Sequence, residues 1–373
     1  MITIFICKYT AFSTKKEKQL INSLKISAHF YSVCAFGDDI FVHCKKKDYL
    51  CKNKLKKTMI NRVLLRNKVI QILYSYYKNN AESLDFEEAK DELAISIEKT
   101  YELYHYLLQT IVNVTSYATN KLERSNKRSS DLQLMTKLSN NKFALQLAQN
   151  KDLLKFIEEH DLDWPTEESE ITKTLYKEIA QVPEVNTYCE KGETTYEEDR
   201  EIWRFIVKKT FSGCELLGKE LEDLCIYWND DAEVILSFVL KTIRKFEEEK
   251  QDEQELIPQF RDKEDEEFAY TLLKNSIYNE YEYREMIKKH THNWDSDRIA
   301  FMDTIIMQAA IAEICSFPSI PVNVTMNEFI EIAKNYSTPK SGTFINGILD
   351  TIVKELKAEN KLTKATYVNS YKK

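Results

Sequence analysis

Glycine and proline are scarce in this chain, six of each in 373 residues, against the roughly 12 % that the two make up together in average sequences. Turn punctuation is therefore sparse and elements are long, which favours helices over many short strands. There is no apolar run of about 18 residues, the length a membrane-spanning helix needs. The opening MITIFICKYTAF lacks the charged-then-apolar order and the small-residue cleavage site of a secretory signal, so the protein is expected in the cytoplasm. No CxxC pair occurs among Cys7, Cys34, Cys44, Cys51, Cys189, Cys214, Cys225 and Cys315, and reduced thiols follow. Four of these cysteines lie near His29 and His43, but their irregular spacing fits no zinc pattern. A glycine-rich phosphate loop, GxSxG and HExxH are all missing. The remaining histidines, His105, His160, His290 and His292, stand isolated or in polar helical surroundings. The chain thus reads as a non-enzyme with neither cofactor nor metal.

What is present divides sharply. The length predicts two or three packed units. Residues 1–58 hold 12 Lys, no Arg and 4 acidic residues, a net of +8, so the overall −7 leaves −15 on residues 59–373. An acidic body lacks the many phosphate-neutralising cations of a broad non-specific nucleic-acid surface, and any RNA contact is predicted to be local. For the basic leader two readings stand. It is an extension read in frame ahead of an initiator at Met59, or a basic arm adding electrostatic affinity for RNA. The helical pattern starts at Met59, which favours the extension.

Apolar residues at 60, 63, 64, 70, 73, 74 and 77 predict a largely buried first helix over 60–77. Leu93, Ile97, Tyr101, Tyr104, Leu107, Leu108, Ile111 and Val114 predict a second over about 84–122, followed by an exposed polar loop, KLERSNKRSSD. One helix is expected over 141–160, a proline turn at DLDWPTEESE, and another helix around 168–181. Segments 198–240 and 264–306 match in kind at a gapless offset of 66 residues, including Ile206 with Leu272, Trp228 with Trp294, Asp231 with Asp297 and Val239 with Ile305. This predicts a duplicated helical unit. The acidic connector EEEKQDEQELIPQFRDKEDEE, broken by Pro258, is read as solvated.

Near the C-terminus a helix is predicted from Asp297 to Ile314, closed by Pro318. The Thr325 and Glu328 spacing suggests a capping box opening the next helix. Thr338 and Pro339 suit the N-cap and first position of a last one, with Phe344, Ile345, Ile348, Leu349, Ile352, Val353 and Leu356 on one stripe. Asn346 and Gly347 are read as permitting a close helix crossing.

The run PVNVTMNEFIEIAKNYSTPKSGTFINGILDTIV resembles the C-terminal half of NusB family proteins, with a proline-led loop, an NE-containing helix, a polar loop and an FxNGxLD helix. The likeness extends back through DRIAFMDTIIMQAAIAEI, and MINRVLLRNKVIQILYSYY resembles the family's first helix. It covers about 59–80 and 260–357, with an insertion between them, as in the enlarged Bacteroidetes form. The implied architecture is an all-α NusB-type bundle: N-terminal helices over 59–120, a helical insertion over 121–260, a C-terminal helical domain over 261–358 and a disordered tail over 359–373.

The resemblance implies a transcription antitermination factor that supports rRNA transcription. Its partners would be boxA-like single-stranded RNA, the ribosomal protein NusE and the RNA polymerase antitermination complex. Arg62, Arg66, Lys68, Lys334 and Lys340 would supply RNA donors, Phe344 and Tyr74 stacking faces, and Asp303 the NusE-facing position. The family's arginine-rich start is reduced here to two arginines and one lysine. NusB-like domains also occur fused to RNA cytosine methyltransferases, but no glycine-rich cofactor-binding segment stands in this sequence. The alternative from another class is a helical protein-interaction module without specific RNA binding.

Overall fold

The computed structural model describes residues 59–78, 85–125, 131–291 and 300–362, and among them fifteen α-helices and no strand occur. The fold is all-α, as its sparse glycine and proline suggest. The leader 1–58, Trp294, Asp297 and the tail from 363 onward lie outside the described residues. No described helix is long and apolar enough to cross a membrane.

Helix α1 (Arg62–Lys78) is opened by Asn61, whose Oδ1 accepts from the Leu64 amide at 3.0 Å. Helix α2 (Phe86–Arg124) has 39 residues and, at 1.5 Å per residue, runs about 58 Å. It packs against α1 and then against α3 (Leu132–Ser139), α4 (Lys142–Ala148), α5 (Lys151–Glu159) and α6 (Glu170–Ile179). The single helix predicted over 141–160 is two. Asn141 and Asn150 each cap a helix by accepting from the amide three residues on, both at 3.0 Å, and a second cap inside the stretch ends the first helix. Helix α7 (Pro183–Glu190) begins with its proline at the first position, where the missing N–H costs nothing.

Helix α8 (Tyr196–Ile206) starts with a capping box between Thr195 and Glu198 and continues as a π-helical segment, Val207–Phe211. Helices α9 (Glu215–Leu224) and α10 (Ala232–Lys245) follow, then α11 (Lys263–Tyr278), α12 (Glu280–His290), α13 (Phe301–Ser316), α14 (Val322–Tyr336) and α15 (Ser341–Ala358). At the 66-residue offset the order of elements agrees: α8 with its π segment stands opposite α11, α9 opposite α12, and α10 opposite α13.

Helix α13 is apolar nearly all round, and every residue from Ile305 to Ile314 is buried in the midst of α1, α11, α12, α14 and α15. A helix without a polar face belongs in the centre of a bundle. Its two internal polar residues are satisfied. Gln308 bonds the Tyr77 hydroxyl and the Ser276 carbonyl, each at 2.7 Å, and Glu313 takes three hydrogen bonds described below.

Three local expectations are corrected. The acidic connector is not merely solvated: Leu256 and Ile257 are buried, and the amides of Met59 and Ile60 donate to the carbonyls of Pro258 and Gln259 at 3.0 and 2.9 Å. Two apolar residues within the acidic run anchor it. Thr325 is not a cap but sits inside α14, which begins at Val322, and its hydroxyl donates across to Glu313. The last helix begins at Ser341 rather than Pro339, because Thr338 to Ser341 first forms a turn, with the Ser341 amide on the Thr338 carbonyl at 2.9 Å.

Candidate nucleic-acid interface

Helices α1 and α13 run antiparallel. Arg66 near the start of α1 reaches Glu313 near the end of α13, while Tyr74 meets Phe301 at the α13 start, edge to face with centroids 5.7 Å apart. Residues near the start of α1 therefore lie at the opposite end of this layer from the α14–α15 corner. Arg62 stands nine positions before Gln71, which touches Tyr336 at the end of α14, an axial span of about 13–14 Å.

The cations named from the sequence fall into two groups. Arg66 is 3 % exposed and forks onto Glu313 with Nε–Oε2 and Nη2–Oε1 distances of 2.7 and 2.8 Å. Its guanidinium also lies over the Phe268 ring. Lys68 is 1 % exposed, with Nζ 2.6 Å from Asp231 Oδ2 and 3.2 Å from the Tyr227 carbonyl. Both face inward and hold α1 to the bundle, so neither presents a donor to an outside ligand here. Their partner acids are 247 and 163 positions away in the chain, beyond the reach of helical spacing. Arg62 is half-buried and tied to Glu264 and Asp265 at 2.8 and 3.0 Å.

Lys334 and Lys340 are exposed. Among the described residues the first pairs with Glu331 one turn back, and the second ends the turn that leads into α15. Gly342, two positions after Lys340, packs under the Lys334 stem, where a Cβ would meet Lys334 Cγ at 3.4 Å. Phe344, one turn after Lys340 in the chain, is half-buried against the core. Asn346 and Gly347 are exposed, and a Cβ at Gly347 would meet nothing within 4 Å. The close approach of α14 and α15 is thus at Gly342 and not at Gly347.

Asp303 is 5 % exposed. Its two oxygens accept from the hydroxyls of Ser337 and Ser341, at 2.5 and 2.9 Å. Inward-facing and doubly bonded, it shapes the corner loop rather than offering a carboxylate to a partner protein. The serine pair one turn apart, flanking Thr338 and Pro339, is the sequence signal for this clamp, and hydrophobic periodicity does not register it. A second polar junction was also missed. Gln71 donates to Asp230 Oδ2 at 3.0 Å, and Asp231 takes a bond from Thr100 as well as Lys68. Burial and the neighbouring Asp231 raise the Asp230 pKa above the ordinary aspartate value.

The model of the NusB family matches residues 230–354, which takes in α10 to α15. The Transcription antitermination protein NusB of Salinibacter ruber is 39 % identical over 108 residues, covering 29 % of this chain and 68 % of that protein. The chain belongs to the NusB family. NusB of Chloroherpeton thalassium is 41 % identical over 98 residues, 26 % of this chain and 46 % of that protein, and NusB of Koribacter versatilis is 40 % identical over 94 residues, 25 % and 64 %. The chain therefore spans about half to two thirds of the NusB relatives it matches. A solved T. maritima NusB aligns over 46 % of this chain and 98 % of its own at 26 % identity, with a TM-score of 0.25, a likeness too distant to add to the fold argument. The α13–α15 corner lies wholly inside the family match.

Proposed function

We propose that this chain is an antitermination factor that holds boxA-like single-stranded RNA at the α14–α15 corner, together with the ribosomal protein NusE, in support of rRNA transcription. One observation carries the reading: within the family-matched segment, the corner clamped by Asp303 presents exposed Lys334 and Lys340 and half-buried Phe344, with open Gly347 one turn further along the same side of α15. Lysines supply phosphate contacts, the phenylalanine edge a stacking surface, and the bare backbone at Gly347 room for a close approach of the strand. Arg62, at the far end of α1, adds a contact only where the strand continues along that helix. Arg66 and Lys68 act through the fold. Asp303 positions the loop, and NusE docks without touching its carboxylate.

The acidic body sets the character of binding. With −15 on residues 59–373, long-range repulsion weakens RNA binding by the chain alone, and a basic partner that extends the patch raises affinity reciprocally. The test is titration of a boxA-like RNA with and without NusE. Lys340→Ala is expected to weaken binding and to lower the salt slope by about 0.7, the single-strand value per phosphate. Unchanged affinity for Lys340→Ala with NusE present would favour a helical protein-interaction module instead.

A further inference from the structure

Cations also stand on α8, its π segment and the neighbouring α10, and α8 and the π segment precede the family match. Between Arg200 and Lys209 stand four cations and one acid, and between Phe238 and Phe246 three cations and none. The two stretches lie side by side and antiparallel: α8 and the π segment pack on α10, and Arg200 Nη1 donates to the Phe246 carbonyl at 2.9 Å. The inner face of α8 is filled by Asp199, Ile202, Trp203 and Ile206, which leaves Glu201, Arg204 and Phe205 on the outer side, followed by Lys208 and Lys209.

Arg204 pairs with Glu201, whereas Lys208 and Lys209, both exposed, make no ion pair among the described residues. Phe205 is half-exposed, and the Lys209 ammonium lies 5.9 Å from its ring centroid. On α10 the exposed Lys241 stands 4.2 Å from the Phe238 ring. The π turn places the two consecutive lysines on the outer side, while Val207, Thr210 and Phe211 remain buried. Such turns inside helices recur at functional sites.

We infer that the α8–π–α10 surface is a second contact for single-stranded RNA, with Lys208 and Lys209 on phosphates and Phe205 as a stacking face for a base. An acidic protein segment would use the lysines but has no need of the ring, whereas a positively charged track with an aromatic platform is how single strands are held without sequence preference. The inference deepens the RNA reading and rests on it.

The test is fluorescence titration of the full chain with a single-stranded oligouridine and with a boxA-like RNA carrying a single-stranded extension, across a salt series. The Lys208→Ala/Lys209→Ala double variant is expected to weaken binding to both and to lower the salt slope by about 1.4, at about 0.7 per single-strand phosphate. Phe205→Ala is expected to weaken binding roughly fivefold or more. Phe205→Tyr and Lys208→Arg/Lys209→Arg keep binding near the parental level. A charge-matched control, Lys155→Ala/Lys177→Ala, leaves the slope nearly unchanged. If the alanine pair keeps parental affinity and slope while Lys340→Ala loses boxA-like RNA, the second contact is overturned and the corner reading stands. If the parental chain binds neither RNA, both are overturned.

Discussion

Arg66 and Glu313 are 3 % and 0 % exposed and joined by two hydrogen bonds, so removing either partner leaves an uncompensated buried charge, which costs about 3–5 kcal/mol. Arg66→Ala is therefore expected to lower unfolding stability in urea by that amount, while the protein that remains folded keeps its RNA affinity. A loss of affinity without loss of stability would return Arg66 to the RNA site. His105 lies stacked on Phe156 at a centroid distance of 3.6 Å, with Nδ1 on the Tyr101 carbonyl, and burial pushes its pKa down to about 3. Its folded pKa lies below the unfolded value near 6.5, so the unfolded chain binds the extra proton between these values and stability falls as pH drops from about 6.5 toward 3. Urea midpoints across that window are expected to slope less steeply in His105→Gln. A parallel slope would assign the acid sensitivity to other groups. The sequence showed His105 as an isolated histidine in a helix, because the ring beneath it comes from residue 156 and no local pattern announces that contact. The same holds for Arg66 and Lys68. Their residue types suited RNA, and only the distant acids Glu313 and Asp231 turn them inward.

Helices were the most legible level, since long amphipathic periods survive without knowledge of neighbours. The first, second and last helices lie within a few residues of the expected spans, and the FINGILD motif falls on α15 as the resemblance implied. Errors gather where side chains override periodicity: the Asn150 cap that splits 141–160, and Thr325, which looks like a cap but bonds Glu313 from within α14. The two glycines of α15 separate packing from exposure. Gly342 is buried against α14, whereas Gly347 is open and its φ is not in the left-handed region. Gly347→Ala is expected to stabilise α15 by about 0.5–1 kcal/mol, because alanine loses less backbone entropy on entering a helix. If RNA approaches the Gly347 surface closely, the same variant is expected to bind boxA-like RNA more weakly despite its higher melting temperature. Higher stability with unchanged affinity would move the contact back onto the Lys340 turn.

At the scale of the whole molecule, the family-matched segment 230–354 is tied into the helices that precede it. Asp231 is closed by Lys68 of α1 and Thr100 of α2, Glu313 by Arg66 of α1, and Gln308 by Tyr77. The connector between α10 and α11 is held in turn: the Tyr101 hydroxyl donates to the Ile257 carbonyl at 3.1 Å, and the Ile257 amide donates to the Tyr104 hydroxyl at 3.3 Å. One hydrophobic cluster runs through α1, α2 and all six family-matched helices. A fragment spanning only 230–354 would expose the α13 face that α1 covers and leave Glu313 and Asp231 without their cations, and stranded buried charge is among the costliest defects a small domain can carry. The expected outcome is that this fragment, compared with residues 59–362 by circular dichroism and urea titration, keeps partial helicity but shows no cooperative transition. The longer piece unfolds in one step. A sharp transition in the short fragment, with the amide protection of α13 retained, would mean that the matched segment folds alone and that α1 and α2 are docked additions rather than part of one cooperative core.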